Sequence, residues 1–63
     1  MTEGEARKAT IDLFGEDSFT ECERDEKLTR YYVGPLPTVP GPYMGYMGFS
    51  WKQALELARE ANG

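Results

Sequence analysis

Residues 31–51 carry no charged side chain, and this uncharged run most constrains what the chain can fold into. It holds all four prolines and four of the seven glycines, which excludes a membrane-spanning helix because proline removes a backbone hydrogen bond. It also holds six of the eight aromatic residues. The run must therefore supply most of the hydrophobic core, a binding surface, or both.

The length of 63 residues allows one small domain, residues 1–63. A domain of this size buries about 60% of the surface of its unfolded chain, which disfavours a deep substrate cavity. The chain has no His, the commonest general base, and its single Cys excludes an internal disulfide and a Cys/His metal site. We therefore predict a protein that is not an enzyme, with no catalytic residue, no cofactor and no metal.

The first residues of the chain and its single cysteine indicate the cellular compartment. Residues 1–5 are acidic and lack an apolar stretch, so the sequence predicts neither a secretory signal nor a transit peptide. A lone cysteine fits a reducing compartment, and we expect a cytoplasmic protein that does not enter a membrane. Cys22 is predicted to be half-buried in a strand and slow toward thiol reagents, because Glu21 and Glu23 beside it disfavour the thiolate.

A helix over residues 51–61 is the best-determined element. Ser50 can cap its first turn, Gln53 completes the spacing of a capping box, and Phe49 and Ala54 can form a hydrophobic staple. Apolar residues then recur at helical spacing on one side. They are Trp51, Ala54, Leu55, Ala58 and Ala61, with Leu57 widening the stripe.

A first helix is predicted between Thr2 and Gly15. Thr2 and Glu5 have the spacing of a capping box, and Gly15 stands where a helix ends. The apolar side of this helix would carry Ala6, Ala9, Leu13 and Phe14. The alternative is a strand over residues 10–14, where apolar and polar residues alternate, and we favour the helix.

Three strands are predicted between the helices. Residues 18–24 and 28–34 form a hairpin around the charged turn 25–27, and residues 43–49 form a third strand that its two glycines weaken. The element order is then α-β-β-β-α. The predicted fold class is α+β, with two short helices packed on one face of a three-stranded antiparallel sheet.

The segment Gly48-Phe49-Ser50-Trp51-Lys52-Gln53-Ala54 resembles the start of the second helix in the double-stranded RNA-binding domain family, whose layout is also α-β-β-β-α. The resemblance implies the fold, and it implies phosphate binding by a lysine cluster at this junction. Only Lys52 matches that cluster, since Trp51 and Leu55 stand where lysine is expected. With a net charge of −4, duplex RNA binding is disfavoured, because it needs several cationic contacts with phosphates.

The aromatic, uncharged run predicts a protein-binding surface, because Tyr and Met are enriched where proteins bind one another. The partner would be another protein or a second copy of this chain. The candidate contact residues are Tyr31, Tyr32, Tyr43, Met44, Tyr46 and Met47. The same rings could stack on single-stranded bases, so a nucleic-acid-binding module is the alternative, with binding that weakens steeply as salt is added.

An acidic surface is the second alternative. Glu21, Glu23 and Asp25 alternate along the predicted strand and would point to one side, about 6.6 Å apart at each step. Such a row could imitate DNA phosphates and inhibit a DNA-binding protein. We rank it below the aromatic surface, because Arg24 and Arg30 interrupt the negative field and a run of charges is usually a solvated face.

Overall fold

The computed structural model describes residues 1–37 and 45–62 of the chain. They form helix α1 (Glu3–Phe14), strands β1 (Ser18–Arg24), β2 (Thr29–Pro35) and β3 (Tyr46–Gly48), and helix α2 (Trp51–Asn62). The strands form one antiparallel sheet in the order β1-β2-β3. The predicted α+β fold and its element order are confirmed.

Helix α1 begins and ends at the residues that the sequence indicates. The Glu5 N–H donates to Thr2 Oγ1 at 3.2 Å, and the Thr2 N–H donates to Glu5 Oε1 at 3.1 Å. Hydrogen bonds from the backbone and side chain of Thr2, together with the N-terminal ammonium, lower the pKa of Glu5 below its usual value of 4.5. Gly15 ends the helix with φ of 89°, a conformation that glycine adopts at little cost. Residues 10–14 are therefore helical, as we favoured over a strand.

Helix α2 begins after the predicted cap. The Gln53 N–H donates to Ser50 Oγ at 3.0 Å, and the Ala54 N–H donates to the Ser50 carbonyl at 3.1 Å. The Gln53 side chain accepts from the Phe49 N–H at 2.7 Å, one residue earlier than in a standard capping box. Phe49, which we expected to pack on Ala54, remains 54% exposed.

The core lies between the two helices and one face of the sheet. Its buried residues are Ala6, Val33, Trp51, Ala54, Leu55 and Ala58, with Ala9, Leu13, Phe14, Tyr31 and Tyr46 packed around them. Among residues 1–37 and 45–62, two ring pairs join the sheet to the helices. Tyr31 meets Trp51 edge to face at 4.6 Å between ring centroids, and Tyr46 stacks on Phe14 at 6.1 Å. Such pairs add about 0.5–1.5 kcal/mol beyond the burial of their area.

Four details of the prediction are corrected. Leu57 and Ala61 were placed on the buried stripe of α2 but are exposed, because the narrow sheet covers only one side of the helix. The second strand is one residue later than predicted, and the third is shorter, with residues 43 and 44 outside the described part of the chain. Cys22 is exposed rather than half-buried, because burial is confined to the N-terminal end of β1.

Candidate functional site

The pairing register decides which side chains share a face of the sheet. Tyr32 lies opposite Glu21 on β1 and opposite Met47 on β3, so these three residues form one row across all three strands. Val33, the next residue of β2, belongs to the core beneath the helices. Because successive side chains of a strand alternate between faces, the row of Tyr32 lies on the face away from the helices.

We call the open part of that surface the helix-free face. It consists of Glu21, Glu23, Arg30, Tyr32 and Met47. Phe19 lies on the same side but is only 6% exposed, and its ring lies so close to Gly45 that a β-carbon added there would collide with it. The exposed residues Leu28 and Phe49 stand at the end of the sheet where β1 and β2 are joined. This face is thus acidic along β1, mixed along β2 and apolar along β3.

The electrostatics of the helix-free face depend on one ion pair. Arg30 Nη1 donates to Glu23 Oε1 at 3.1 Å, across a directly opposed pair of positions. An exposed pair of this kind contributes at most about 1 kcal/mol to stability, but it neutralises the charge of Glu23 locally. Within the described residues Glu21 has no ion-pair partner. Glu21 is therefore the uncompensated charge of the row that contains Tyr32 and Met47.

Asp25 lies one residue beyond strand β1, so only two of the three acids predicted for the row, Glu21 and Glu23, stand within the strand. Strand β1 ends at Arg24, and the Asp25 N–H donates to the Leu28 carbonyl at 2.8 Å to close the turn. The Asp25 carboxylate accepts from the Glu26 N–H at 2.7 Å. Within β1 the acidic surface therefore consists of Glu21 and Glu23.

The six aromatic and methionine candidates are divided between different parts of the structure. Tyr32 and Met47 lie on the helix-free face, where Met47 is 39% exposed. Tyr31 and Tyr46 lie on the opposite face, half-buried against Trp51 and Phe14. The remaining two candidates, residues 43 and 44, lie outside the described residues. The adjacent tyrosines of β2 therefore serve different surfaces.

An open cleft lies on the helix side of the sheet. It has a volume of about 610 Å³ and is lined by Glu3, Cys22, Arg24, Tyr31 and Trp51. Its charged residues are of opposite sign, and its lining includes both members of the edge-to-face ring pair. Within residues 1–37 and 45–62, no group of three or more His, Cys, Asp or Glu side chains is placed to hold a metal ion. In the same ranges, no helix has the length and apolar character needed to cross a membrane.

Sequence reasoning did not identify Arg30 as part of the site or place Glu21 beside Tyr32. Both placements follow from the pairing register of β1 and β2, in which Glu23 lies opposite Arg30 and Glu21 lies opposite Tyr32. The turn that sets this register is closed by Asp25 and Leu28, one residue longer than the predicted turn. Hairpin register depends on loop length, so a correct turn length would have revealed the row.

The junction before α2 was the basis of the resemblance to the double-stranded RNA-binding domain. Lys52 is exposed at the start of the helix, whereas Trp51 and Leu55 are core residues. The described order of helix, three antiparallel strands and helix agrees with the layout of that family. The chain matches no protein-family model, no curated protein sequence and no solved structure.

Proposed function

We propose that this chain is a non-enzymatic protein-binding module whose partner contacts the helix-free face. The observation that carries the proposal is the row of Glu21, Tyr32 and Met47, which places a charge, an aromatic ring and a flexible apolar side chain side by side. Tyr and Met are over-represented at protein interfaces, where Met adapts to the shape of the partner. A partner with an apolar group beside a basic one would complement this row.

The charge of this face favours a protein over a nucleic acid. Glu21 and Glu23 would repel phosphates, and the guanidinium of Arg30 is already engaged by Glu23. Most of the affinity of proteins for nucleic acids comes from cationic contacts with phosphates. Tyr32 could stack on a base, but the acidic side chains beside it would oppose the approach of the backbone.

The acidic surface is too small to make DNA mimicry the better proposal. Asp25 belongs to the turn, and Glu23 is paired with Arg30. A mimic must present a field of negative charge over several phosphate spacings in order to steer a basic partner. We therefore treat the glutamates as one component of a mixed protein-binding face.

The test is to isolate partners with the wild-type protein as bait and to measure the affinity of each variant by calorimetry. We expect Tyr32→Ala to weaken partner binding by about 2 kcal/mol, or about 30-fold, as for a central aromatic contact. Met47→Ala should weaken binding by a smaller amount. The matched control is Leu57→Ala, because Leu57 is 42% exposed on α2 and Met47 is 39% exposed on the helix-free face.

Three results would contradict the proposal. The first is equal affinity of wild type and Tyr32→Ala for every partner, with circular dichroism showing that both are folded. The second is that the bound molecule is a nucleic acid whose affinity falls steeply between low and physiological salt. A loss of binding in Leu57→Ala equal to that in Met47→Ala would place the interface on α2 instead.

A further inference from the structure

Among the described strands, β1 has one neighbour in the sheet, β2. The hydrogen-bond register shows which backbone groups of β1 face outward. The Asp17 carbonyl accepts from the Leu36 N–H at 2.9 Å, and the Asp25 N–H donates to the Leu28 carbonyl at 2.8 Å. Hydrogen-bonded pairs alternate along an antiparallel ladder, so the odd-numbered residues of β1 are bonded to β2. The even-numbered residues direct their N–H and C=O groups to the free edge.

One end of this free edge is already occupied. The Arg7 side chain of α1 donates to the Ser18 carbonyl at 3.0 Å, which satisfies the first outward acceptor of the strand. The next outward residues are Thr20, Cys22 and Arg24, for which no partner of the edge backbone is found in the described ranges. Cys22 and Arg24 are exposed. The open part of the edge is therefore the stretch 20–24, which can pair with a short extended segment.

A second copy of this chain is a poor occupant of the edge. If two β1 edges paired antiparallel about Cys22, Glu21 of each copy would face Glu23 of the other. A shift by two residues in either direction would place Glu21 opposite Glu21 or Glu23 opposite Glu23. Like charges directly opposed across two strands are destabilising. The glutamates thus disfavour self-pairing, as charged residues on edge strands commonly do, while they leave the edge open to a strand of opposite charge.

We propose that the free edge of β1 binds an extended basic segment of the partner protein as a fourth strand. Lysine or arginine would occupy the two alternate positions facing Glu21 and Glu23, and small or β-branched residues would stand between them, next to Cys22. Main-chain hydrogen bonds to residues 20–24 would hold the segment. The unpaired carboxylate of Glu21 would select it, together with Oε2 of Glu23, the oxygen that Arg30 does not bind. This inference rests on the proposed function, since the added strand extends the row of Met47, Tyr32 and Glu21.

The probe is a synthetic peptide in which lysine alternates with valine and threonine, and the readout is amide hydrogen exchange followed by NMR. At a peptide concentration about ten times its Kd, exchange at Thr20, Cys22 and Arg24 should slow about tenfold. The amides of Glu21 and Glu23 should exchange slowly even before the peptide is added, because β2 already binds them, so the fast amides that become slow are those of the outward residues. The expected result is therefore protection at every second residue of β1.

A control peptide separates strand pairing from simple charge attraction. It keeps all the lysines but has proline at a central position between them, which removes a backbone donor and disfavours the edge-strand pairing. We expect this peptide to bind at least tenfold more weakly, a difference of about 1.4 kcal/mol. Equal binding of the two peptides would overturn the inference.

Charge selection is tested with paired double variants of the full chain. Glu21→Gln with Glu23→Gln should weaken binding of the alternating peptide about tenfold, because the carboxylates that face its lysines lose their charge. The control is Glu56→Gln with Glu60→Gln, which changes the net charge equally at exposed positions of α2. An equal loss of peptide affinity in the two double variants would show that binding depends on net charge alone, and it would overturn the inference.

The backbone role of the edge is tested at Cys22. Cys22→Pro removes an outward N–H that does not bond to β2, so the sheet should remain folded while peptide binding is lost. Cys22→Val keeps the N–H and should bind the peptide normally. Unchanged binding in Cys22→Pro would contradict strand addition. If that variant unfolds, the exchange pattern of the wild type still decides the question.

The outcomes also separate this inference from the proposed function. Peptide-induced shifts of the Tyr32 and Met47 side-chain signals without protection of the β1 edge would refute strand addition and leave the proposed function standing. Protection of the edge by the peptide, together with full partner affinity in Tyr32→Ala, would support the edge and refute the role of the helix-free face. Absence of any peptide binding would refute a basic fourth strand.

Discussion

Replacement of Gly48 by alanine tests how closely the sheet and α2 pack. Gly48 is the last residue of β3, lies opposite Tyr31 and is buried. A β-carbon at this position would lie 2.5 Å from the Ala54 backbone nitrogen and 2.9 Å from Gln53 Cβ. Both atoms belong to the first turn of α2, which the Ser50 cap holds in place. The new methyl group could fit only if the helix moved away from the sheet.

The expected loss of stability in Gly48→Ala follows from the stiffness of the helix backbone that the new methyl group would contact. Overpacking typically costs about 1–3 kcal/mol, and a collision with a helix backbone belongs at the upper end of that range. At about 0.05–0.15 kcal/mol per residue, a chain of 63 residues has a free energy of unfolding of about 3–9 kcal/mol. We therefore expect Gly48→Ala to remove about 3 kcal/mol, a third or more of the total. The midpoint of thermal unfolding should fall by about 12–24 °C.

The matched control is Gly4→Ala in α1. The nearest atom to a β-carbon at Gly4 is Thr2 Oγ1 at 3.9 Å, so the methyl group has room. Alanine has a better helix propensity than glycine, and this variant should gain about 0.5–1 kcal/mol. Urea titration followed by circular dichroism measures both changes. A Gly48→Ala midpoint equal to that of the wild type would refute the close packing, whatever Gly4→Ala does.

Three further predictions concern the caps and the thiol. Ser50→Ala should lower the free energy of unfolding by about 1 kcal/mol in the same titration, because the Gln53 N–H loses its acceptor; an unchanged value would contradict the cap. The pKa of Glu5 is lowered in the folded state, so its stabilising effect is complete above pH 4.5 and is lost as the pH falls below that value. Wild type should therefore lose more stability than Glu5→Gln between pH 6 and about pH 3, and parallel curves would contradict this. Cys22 is exposed, so slow labelling of the folded protein by a thiol reagent stays a prediction that depends on the charges of Glu21 and Glu23 alone; labelling as fast as that of a free thiol would contradict it.

Local sequence signals determined the ends of both helices and the existence of the hairpin. The caps at Thr2 and Ser50 act within three residues, and the alternation in residues 18–24 needs no distant contact. Interactions of such short range depend only on residues that are close together in the sequence. For that reason the element order, and with it the α+β fold class, could be predicted before any tertiary contact was known.

The candidate site was decided only by the tertiary structure. Tyr31 and Tyr32 are neighbours of the same residue type, yet one packs on Trp51 and the other lies on the helix-free face. Their assignment depends on which face of the sheet the helices cover, and the row of Tyr32 depends on a register set by the turn at Asp25. A one-residue change in register moves every side chain of a strand to the other face, so these surfaces are determined by pairing between strands and by helix packing.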